Sequence, residues 1–188
     1  MILTTKQQIG VGLLVIVGIL AVLFYFPGPK AWLDKKLNKK SDSAITSFEE
    51  CARYYPVMES YPERCATKSG ASFTRDIGNE LEKTDLIRST FPRPGDTIMN
   101  PLTLSGEARG YWYFEATAPV ELYNKDGVLI ANGYVEAQDN WMTEDFVPYS
   151  GTINYPTSAI GTGYILLKKS NASGLPEHDD SLKIPVAF

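Results

Sequence analysis

The sequence predicts an all-β domain in the C-terminal part of the chain, and its clearest signal is the aromatic-rich stretch at residues 106–127. Aromatic side chains alternate there, with Trp112 and Phe114 on one side and Tyr111 and Tyr113 on the other. A period of two is typical of a β-strand with one face in the core. We therefore interpret the stretch as a strand pair that buries Trp112 and Phe114 and turns Tyr111 and Tyr113 outward.

Shorter alternating runs on both sides of that stretch supply the remaining strands. These begin at Leu86 and Ile87 and continue at residues 102–108, 128–135, 146–155, 164–169 and 182–188. About seven strands with turn signals roughly every ten residues are typical of an immunoglobulin-like β-sandwich, which we place at residues 85–188. Pro185 cannot donate to a β-ladder, so the last strand is predicted to lie at an edge of its sheet or to pair on one side only at that point.

A single transmembrane helix is predicted at residues 9–26, after a short tail at residues 1–8. The stretch carries no charged side chain, and at ~1.5 Å rise per residue it nearly crosses a ~30 Å hydrocarbon layer. A cleaved signal peptide is the alternative, but no small-x-small cleavage pattern follows. Residues 27–47 are then a basic linker, either solvated or forming a short interfacial helix with Trp32 on its apolar side.

Two signals disagree about the side of the membrane on which the C-terminal domain lies. Five lysines follow the span and one precedes it, and this lysine bias places the domain in the cytoplasm. The cysteine pair and the all-β domain favour the outside, and large domains translocate despite flanking charge. We therefore predict a single-pass protein of the cell membrane whose C-terminal domain is extracytoplasmic.

Residues 48–76 form a small segment that contains both cysteines of the chain. A short helix is predicted at residues 48–54 and a hairpin turn at Ser69-Gly70, so that a bridge between Cys51 and Cys65 would join helix to hairpin. Closing a loop of about 15 residues contributes ~3 kcal/mol in the chain-entropy model. In a reducing compartment the two cysteines would instead be free thiols.

The composition argues against several classes of function. A net charge of -4 and a pI near 5.1 do not suit a nucleic-acid-binding domain, which usually carries a basic stripe. Two cysteines and one histidine are too few for a four-coordinate structural zinc site. We accordingly predict no nucleic-acid partner, no metal and no cofactor.

Candidate catalytic groups near the C-terminus have simpler explanations. The acidic loop at residues 177–180 could hold Ca²⁺ if the backbone wrapped around the ion, but it also suits a solvated loop with Asp179 or Asp180 turning the chain. Ser173-Gly174 lacks a nucleophile elbow, and a triad there would have to use His178 from a distant loop. We predict no catalytic residue among them.

A second acidic loop surrounds Trp141. Asp139, Glu144 and Asp145 flank it, and two carboxylates could perform acid/base chemistry on a sugar. The same residues suit a strand-entry turn with Trp141 packed over one end of the core. Together with the outward Tyr111 and Tyr113, Trp141 is our candidate for a binding face.

Three motifs, in order along the chain, carry a family resemblance. They are P-R-P-G-D-T-I-M-N-P-L-T-L-S-G-E-A-R-G-Y-W-Y-F-E from Pro92, D-N-W-M-T-E-D-F-V-P-Y-S-G-T from Asp139 and S-G-L-P-E-H-D-D-S-L-K-I-P-V from Ser173. Residues 86–188 thereby resemble the immunoglobulin-like domain of bacterial spore germination. The resemblance implies an immunoglobulin-like sandwich in a cell-envelope protein, often behind a membrane segment, with no catalytic residues to carry over.

Two further points follow from resemblance. In germination proteins this domain often accompanies a separate germination domain, and no other stretch of the sequence matches that companion. Residues 48–65, with F-E-E-C, Y-P-V-M-E-S-Y-P and a second cysteine, resemble a motif that precedes various domains in membrane-anchored bacterial proteins.

We therefore expect a membrane-anchored cell-envelope protein that is not an enzyme. Its extracytoplasmic immunoglobulin-like domain would bind or assemble with a protein or an envelope polymer. The alternatives are a carbohydrate-active envelope enzyme that uses the Trp141 loop, and an architectural spacer.

The sidedness can be tested on intact cells. If the domain is extracytoplasmic, Cys51 and Cys65 should resist thiol labelling until a reductant is added, and external protease should remove the domain. Free thiols together with protease resistance would reverse the orientation, and the lysine bias would then be the better guide.

Overall fold

The computed structural model of the protein describes residues 41–188, which divide into two compact units. One consists of residues 41–57 and Cys65–Phe73, and the other of Met58–Arg64 and Thr74–Phe188. The predicted span, the tail before it and the linker up to residue 40 lie outside the described residues. Within residues 41–188, no helix is both long enough and apolar enough to cross a membrane.

The first unit is built around the predicted disulfide, which is confirmed between Cys51 and Cys65. Helix α1 (Phe48–Tyr54) is also confirmed, and it starts at Ser47, whose side chain accepts a hydrogen bond from the Glu50 N–H. Both cysteines are fully buried in a small cluster of five residues, Ile45, Phe48, Cys51, Tyr55 and Cys65. The bridge thus joins the helix to Cys65 inside this apolar cluster.

Short strands and one helical turn complete the region before the sandwich. Strands β1 (Val57–Met58), β2 (Arg64–Ala66) and β3 (Ser72–Thr74) form a three-stranded sheet in the order β1-β2-β3. The predicted hairpin turn between β2 and β3 has Gly70 at a φ of 92°, a conformation that glycine adopts without strain. Helix α2 (Glu80–Lys83) is a single turn.

The second unit contains the predicted immunoglobulin-like β-sandwich, with the seven strands β4 (Ile87–Phe91), β5 (Leu102–Arg109), β6 (Thr117–Asn124), β7 (Leu129–Ala137), β8 (Phe146–Ile153), β9 (Thr162–Lys168) and β10 (Ser181–Ala187). Their hydrogen-bonded order is β10-β9-β6-β7-β8-β5-β4, and all paired neighbours are antiparallel. β7 and β8 pair only at Glu136↔Ser150 and Ala137↔Tyr149. We therefore describe a four-stranded sheet, β10-β9-β6-β7, and a three-stranded sheet, β8-β5-β4, that are joined at one corner.

The inward side chains of both sheets form one hydrophobic core. The four-stranded sheet contributes Ala118, Val120, Leu122, Val135, Ile165, Leu167, Leu182, Ile184 and Val186, and the three-stranded sheet contributes Ile87, Leu102, Leu104, Ala108, Val147, Tyr149 and Ile153. The alternation predicted for β8 and β10 is confirmed. Burial of each large aliphatic side chain contributes about 1.5–3 kcal/mol, which makes this core the main source of stability.

The centre of the aromatic-rich stretch is not the strand that the sequence predicted. β5 ends at Arg109, a 3₁₀ helix occupies Gly110–Trp112, and β6 begins at Thr117. Glu115 and Ala116 have φ angles of 51° and 61°, which no strand contains. The predicted alternation of Trp112 and Phe114 against Tyr111 and Tyr113 therefore fails.

A close approach at Gly110 explains why the chain leaves the strand conformation there. A Cβ atom on Gly110 would lie 2.0 Å from the Thr143 carbonyl oxygen and 2.2 Å from the Trp141 carbonyl oxygen. Because only glycine permits this contact, the loop between β7 and β8 packs directly on the backbone after β5. Farther along, Trp112 and Tyr113 are both buried, whereas Tyr111 and Phe114 are each 48% exposed.

Strand β10 lies at the edge of the four-stranded sheet, as predicted from Pro185, and two other segments cover its open side. The Lys183 N–H donates to Asn79 Oδ1 over 2.7 Å, and Asn79 Nδ2 donates to the Ser181 carbonyl over 2.9 Å. Farther along, the Gly95 N–H donates to the Pro185 carbonyl over 2.8 Å. One asparagine side chain thus replaces a neighbouring strand at two backbone groups.

The loop after β4 completes this edge at its C-terminal end. The Ala187 N–H donates to the Asp96 carbonyl and the Ile98 N–H donates to the Ala187 carbonyl, both over 2.9 Å. A salt bridge of 2.6 Å between Lys83 and Asp180 joins α2 to the start of the strand. The outward backbone groups of β10 are therefore largely satisfied within the chain itself.

Candidate functional site

The three residues predicted for a binding face occupy different environments. Tyr111 is 48% exposed, and the Lys169 ammonium lies 5.7 Å from its ring centroid. Tyr113 is 4% exposed and its hydroxyl donates to the Val147 carbonyl over 2.8 Å, so its predicted outward orientation is wrong. Trp141 is half-buried and packs against the core. A face that combines all three is thus excluded by the burial of Tyr113.

Tyrosines are instead concentrated on the outer face of the four-stranded sheet. Tyr123 and Tyr164 are cross-strand partners and stack with ring centroids 5.1 Å apart and an interplanar angle of 13°. Tyr134 on β7 is paired with Pro119 on β6 and is 61% exposed. We call this surface the aromatic face and define it by Pro119, Tyr123, Tyr134, Tyr164, Leu166 and Pro185.

Charged side chains fix the arrangement of the aromatic face. The Lys183 ammonium lies 4.4 Å from the ring centroid of Tyr164. Lys168 forms a salt bridge of 3.1 Å with Glu121, which also accepts a hydrogen bond of 2.9 Å from the Tyr123 hydroxyl. The rings of Tyr123 and Tyr164 are therefore held in place by each other and by neighbouring charged side chains.

The outer face of the three-stranded sheet has a different character. Its central cross-strand pairs are Thr103↔Thr152 and Ser105↔Ser150. Phe146 on this face lies between the guanidinium groups of Arg88 and Arg109, at 4.2 and 4.1 Å from the ring centroid, and Phe91, the partner of Ser105, is 37% exposed. The two outer faces thus differ in that the tyrosines lie on the four-stranded sheet, whereas the aromatic rings of the three-stranded sheet are phenylalanines.

The acidic loop around Trp141 has the geometry of a turn. Asn140 Oδ1 accepts a hydrogen bond of 3.1 Å from the Met142 N–H, and the Asp145 N–H donates to Thr143 Oγ1 over 3.2 Å. These local bonds are typical of Asx and Ser/Thr turns. Trp141 packs over the core, as its strand-entry interpretation predicted.

His178 is closer to Ser173 than the sequence interpretation assumed. Ser173 Oγ and His178 Nδ1 lie 2.9 Å apart in one loop, which corrects the expectation of a distant histidine. The serine hydroxyl, however, donates to Asn171 Oδ1 over 2.6 Å and accepts from the Leu175 N–H over 3.2 Å. Ser173 is therefore part of a local hydrogen-bond network that includes Asn171, Leu175 and His178 within this loop.

The acidic residues of the last loop also act locally. Asp179 Oδ1 accepts from Asn171 Nδ2 over 2.8 Å, and Asp180 Oδ1 accepts from the Ser181 N–H over 2.8 Å. Across residues 41–188, no group of three or more His, Cys, Asp and Glu side chains is placed to hold a metal ion.

The fold and these surfaces define an immunoglobulin-like module of a generally non-catalytic kind, suited to binding or to structural support. Residues 86–174 match the family model for the immunoglobulin-like domain of bacterial spore germination, so this part of the chain is similar to that domain. No curated protein and no solved structure matches the chain.

Buried tyrosines give this domain a predictable response to alkali. Burial raises the pKa of the Tyr113 and Tyr149 hydroxyls above 10, their usual value. Between about pH 10 and the raised values, these groups keep their protons when folded and lose them when unfolded. Their contribution is therefore fully present below about pH 10 and is lost as the pH rises above it.

We expect the free energy of unfolding to fall above about pH 10 by roughly 1.4 kcal/mol per pH unit for each of these tyrosines. Denaturant titrations at increasing pH check this slope. Tyr113→Phe should reduce the slope by the contribution of one tyrosine, because Tyr149 remains. The variant should also lose about 1 kcal/mol of stability at neutral pH, because it lacks the hydrogen bond to Val147. Tyr111→Phe is the matched control, and an identical slope in both variants would contradict the assignment.

Proposed function

We propose that this chain is a membrane-tethered protein of the bacterial cell envelope that holds a protein partner on its aromatic face without changing it chemically. The observation that carries the proposal is the difference between the two outer faces of the sandwich. One presents Tyr123, Tyr134 and Tyr164, and the other presents serine and threonine at its centre with charged side chains and two phenylalanines around them.

Tyrosine rings suit recognition of a protein surface. They offer a large contact area at a low cost in side-chain entropy, and their hydroxyls remain available for hydrogen bonds. Tyr134 is the most exposed tyrosine of the face at 61%, and Leu166 is the cross-strand partner of Lys183. A broad sheet surface of this kind fits a folded partner better than a small molecule, which requires a concave pocket.

The covered edge of β10 supports binding through the face. Recognition by strand addition needs a row of free backbone N–H and C=O groups. Asn79, Gly95, Asp96 and Ile98 already occupy such groups on β10. A partner strand would have to displace these bonds, whereas a partner on the aromatic face would not.

The tether and the extracytoplasmic location are parts of the same proposal. The uncharged stretch at residues 9–26 would anchor the chain, and the basic linker to residue 47 would separate the anchor from the folded part. The buried Cys51–Cys65 disulfide supports an oxidising compartment, because such bridges persist there.

Crosslinking of the intact protein in its own membrane tests the proposal. Tyr134→Lys places a charge at the centre of contact and should reduce recovery of the crosslinked partner roughly tenfold or more without changing the melting temperature. Thr152→Lys, an exposed position on the opposite sheet, is the matched control and should recover the partner as the parent does.

Three outcomes would overturn the proposal. Equal recovery with both variants would place the partner elsewhere. A parent protein that crosslinks to no discrete partner would favour the architectural spacer, and turnover of envelope glycan by the purified protein would favour the carbohydrate-active enzyme.

A further inference from the structure

Two sequence motifs that are separate along the chain line a single cleft of about 730 Å³ in the second unit. Ser60, Tyr61 and Glu63 come from the two-cysteine motif, and Arg93 and Asp96 come from the P-R-P-G-D motif after β4. We call this the Arg93 cleft. Its volume lies within the range of about 300–1,000 Å³ that is typical of ligand sites.

The carboxylates of the Arg93 cleft already have partners. Glu63 forms a salt bridge with Arg75. Glu80 accepts a hydrogen bond from the Tyr61 hydroxyl, and Asp96 Oδ2 accepts one of 2.8 Å from the Arg93 backbone N–H. Each acidic group is therefore held in the wall of the cleft by a contact within the chain.

The Arg93 guanidinium is different. Among the described residues it has no carboxylate partner and no hydrogen-bond acceptor, although its backbone N–H is bonded to Asp96. Its charge acts on the hydroxyl of Tyr61, which places the two side chains near each other. The cleft thus contains the guanidinium of Arg93, whose five N–H donors can bind an acceptor on a ligand.

Apolar surface lies beside this charge. Tyr61 is 60% exposed, and Pro94 and the buried Ile77 also line the cleft. Burial of the Tyr61 hydroxyl and its bond to Glu80 raise its pKa to about 12, so it remains a neutral donor at physiological pH. The ring is therefore held by its hydroxyl with its remaining surface open to a ligand.

We propose that the Arg93 cleft is a binding site for a single carboxylate side chain on an otherwise uncharged peptide segment. Arg93 binds the carboxylate, and Tyr61 and Pro94 contact the neighbouring residues of the peptide. A guanidinium fork matches a carboxylate in a bidentate pair. This site is separate from the aromatic face and goes beyond the proposed function.

The charges of the cleft select this ligand over other anions. Glu63, Glu80 and Asp96 line the cleft together with Arg93, and Arg75 is paired with Glu63, so a second negative charge on the ligand would meet the charges of Glu80 and Asp96. A phosphate with two charges, or an acidic glycan that repeats its charge along the chain, is disfavoured relative to a lone carboxylate. Aromatic and proline walls also fit an extended peptide.

Fluorescence anisotropy with the full-length protein in detergent tests the proposal. The probes are two labelled synthetic peptides built from glycine, serine and alanine, one with a central glutamate and one with glutamine in its place. We expect the glutamate peptide to bind roughly tenfold or more tightly than the glutamine peptide, since charge-assisted bonds exceed neutral ones.

Variants separate Arg93 from general electrostatics. Arg93→Gln should remove the difference between the two peptides, and Arg93→Lys should retain part of it because the charge remains without the fork. Arg53→Gln, at an exposed arginine on α1, is the matched control and should bind as the parent does. Tyr134→Lys should leave peptide binding unchanged, which distinguishes this site from the aromatic face.

Several results would overturn the proposal. They are equal binding of the two peptides, no binding of the glutamate peptide at millimolar concentration, or the same affinity in Arg93→Gln as in the parent. Tighter binding of inorganic phosphate or of an acidic oligosaccharide than of the glutamate peptide would assign the cleft to a different ligand and equally reject it.

Discussion

The sandwich depends on how the chain closes the edge of its last strand. An antiparallel sheet leaves unpaired N–H and C=O groups at each edge, and such groups attract other strands. Here Asn79 and the loop at residues 94–98 occupy these groups on β10. The covering segments come from just before and just after β4. The first strand of the sandwich, β4, and the last strand, β10, are therefore connected by hydrogen bonds to the backbone of β10 as well as by the core.

Closure of the β10 edge leaves the faces of the sheets, and not this edge, open to solvent. With the β10 edge occupied, the four-stranded sheet presents its face, where Tyr123 and Tyr164 stack and Tyr134 is exposed. The same loop that closes the edge carries Arg93 into a cleft with the two-cysteine motif. Edge closure and cleft formation are therefore two results of one loop conformation, in which Gly95 packs against Arg75 at a φ of 86°.

Much of the fold was predictable because periodicity reports which residues face a core. The alternations in β8 and β10, the edge position of Pro185 and the Cys51–Cys65 bridge all follow from local patterns. The stretch from Gly110 to Ala116 was not predictable in this way. Its conformation depends on a loop from elsewhere in the chain packing on Gly110, and period counting contains no information about such a contact.

The candidate surfaces divide along the same line. Tyr123, Tyr134 and Tyr164 alternate with buried residues in predicted strands, so the sequence contained the signal for the aromatic face. The alternation at Tyr111 and Tyr113 instead indicated a different face. The Arg93 cleft could not be predicted, because it joins residues from two motifs that only the tertiary fold brings together. The alternation of residues within a strand predicts which side chains share a face of a sheet. A cleft is formed by residues that are far apart in the sequence, so local patterns do not predict it.

The stability of Asn79→Ala tests most directly whether the chain closes its own edge. We predict a loss of about 1–3 kcal/mol in the free energy of unfolding, because the Lys183 N–H and the Ser181 carbonyl both lose their partner. We also predict faster amide exchange at Lys183. Asn132→Ala, at an exposed asparagine on β7, should change neither quantity. Equal stability of the two variants and unchanged exchange at Lys183 would contradict the account.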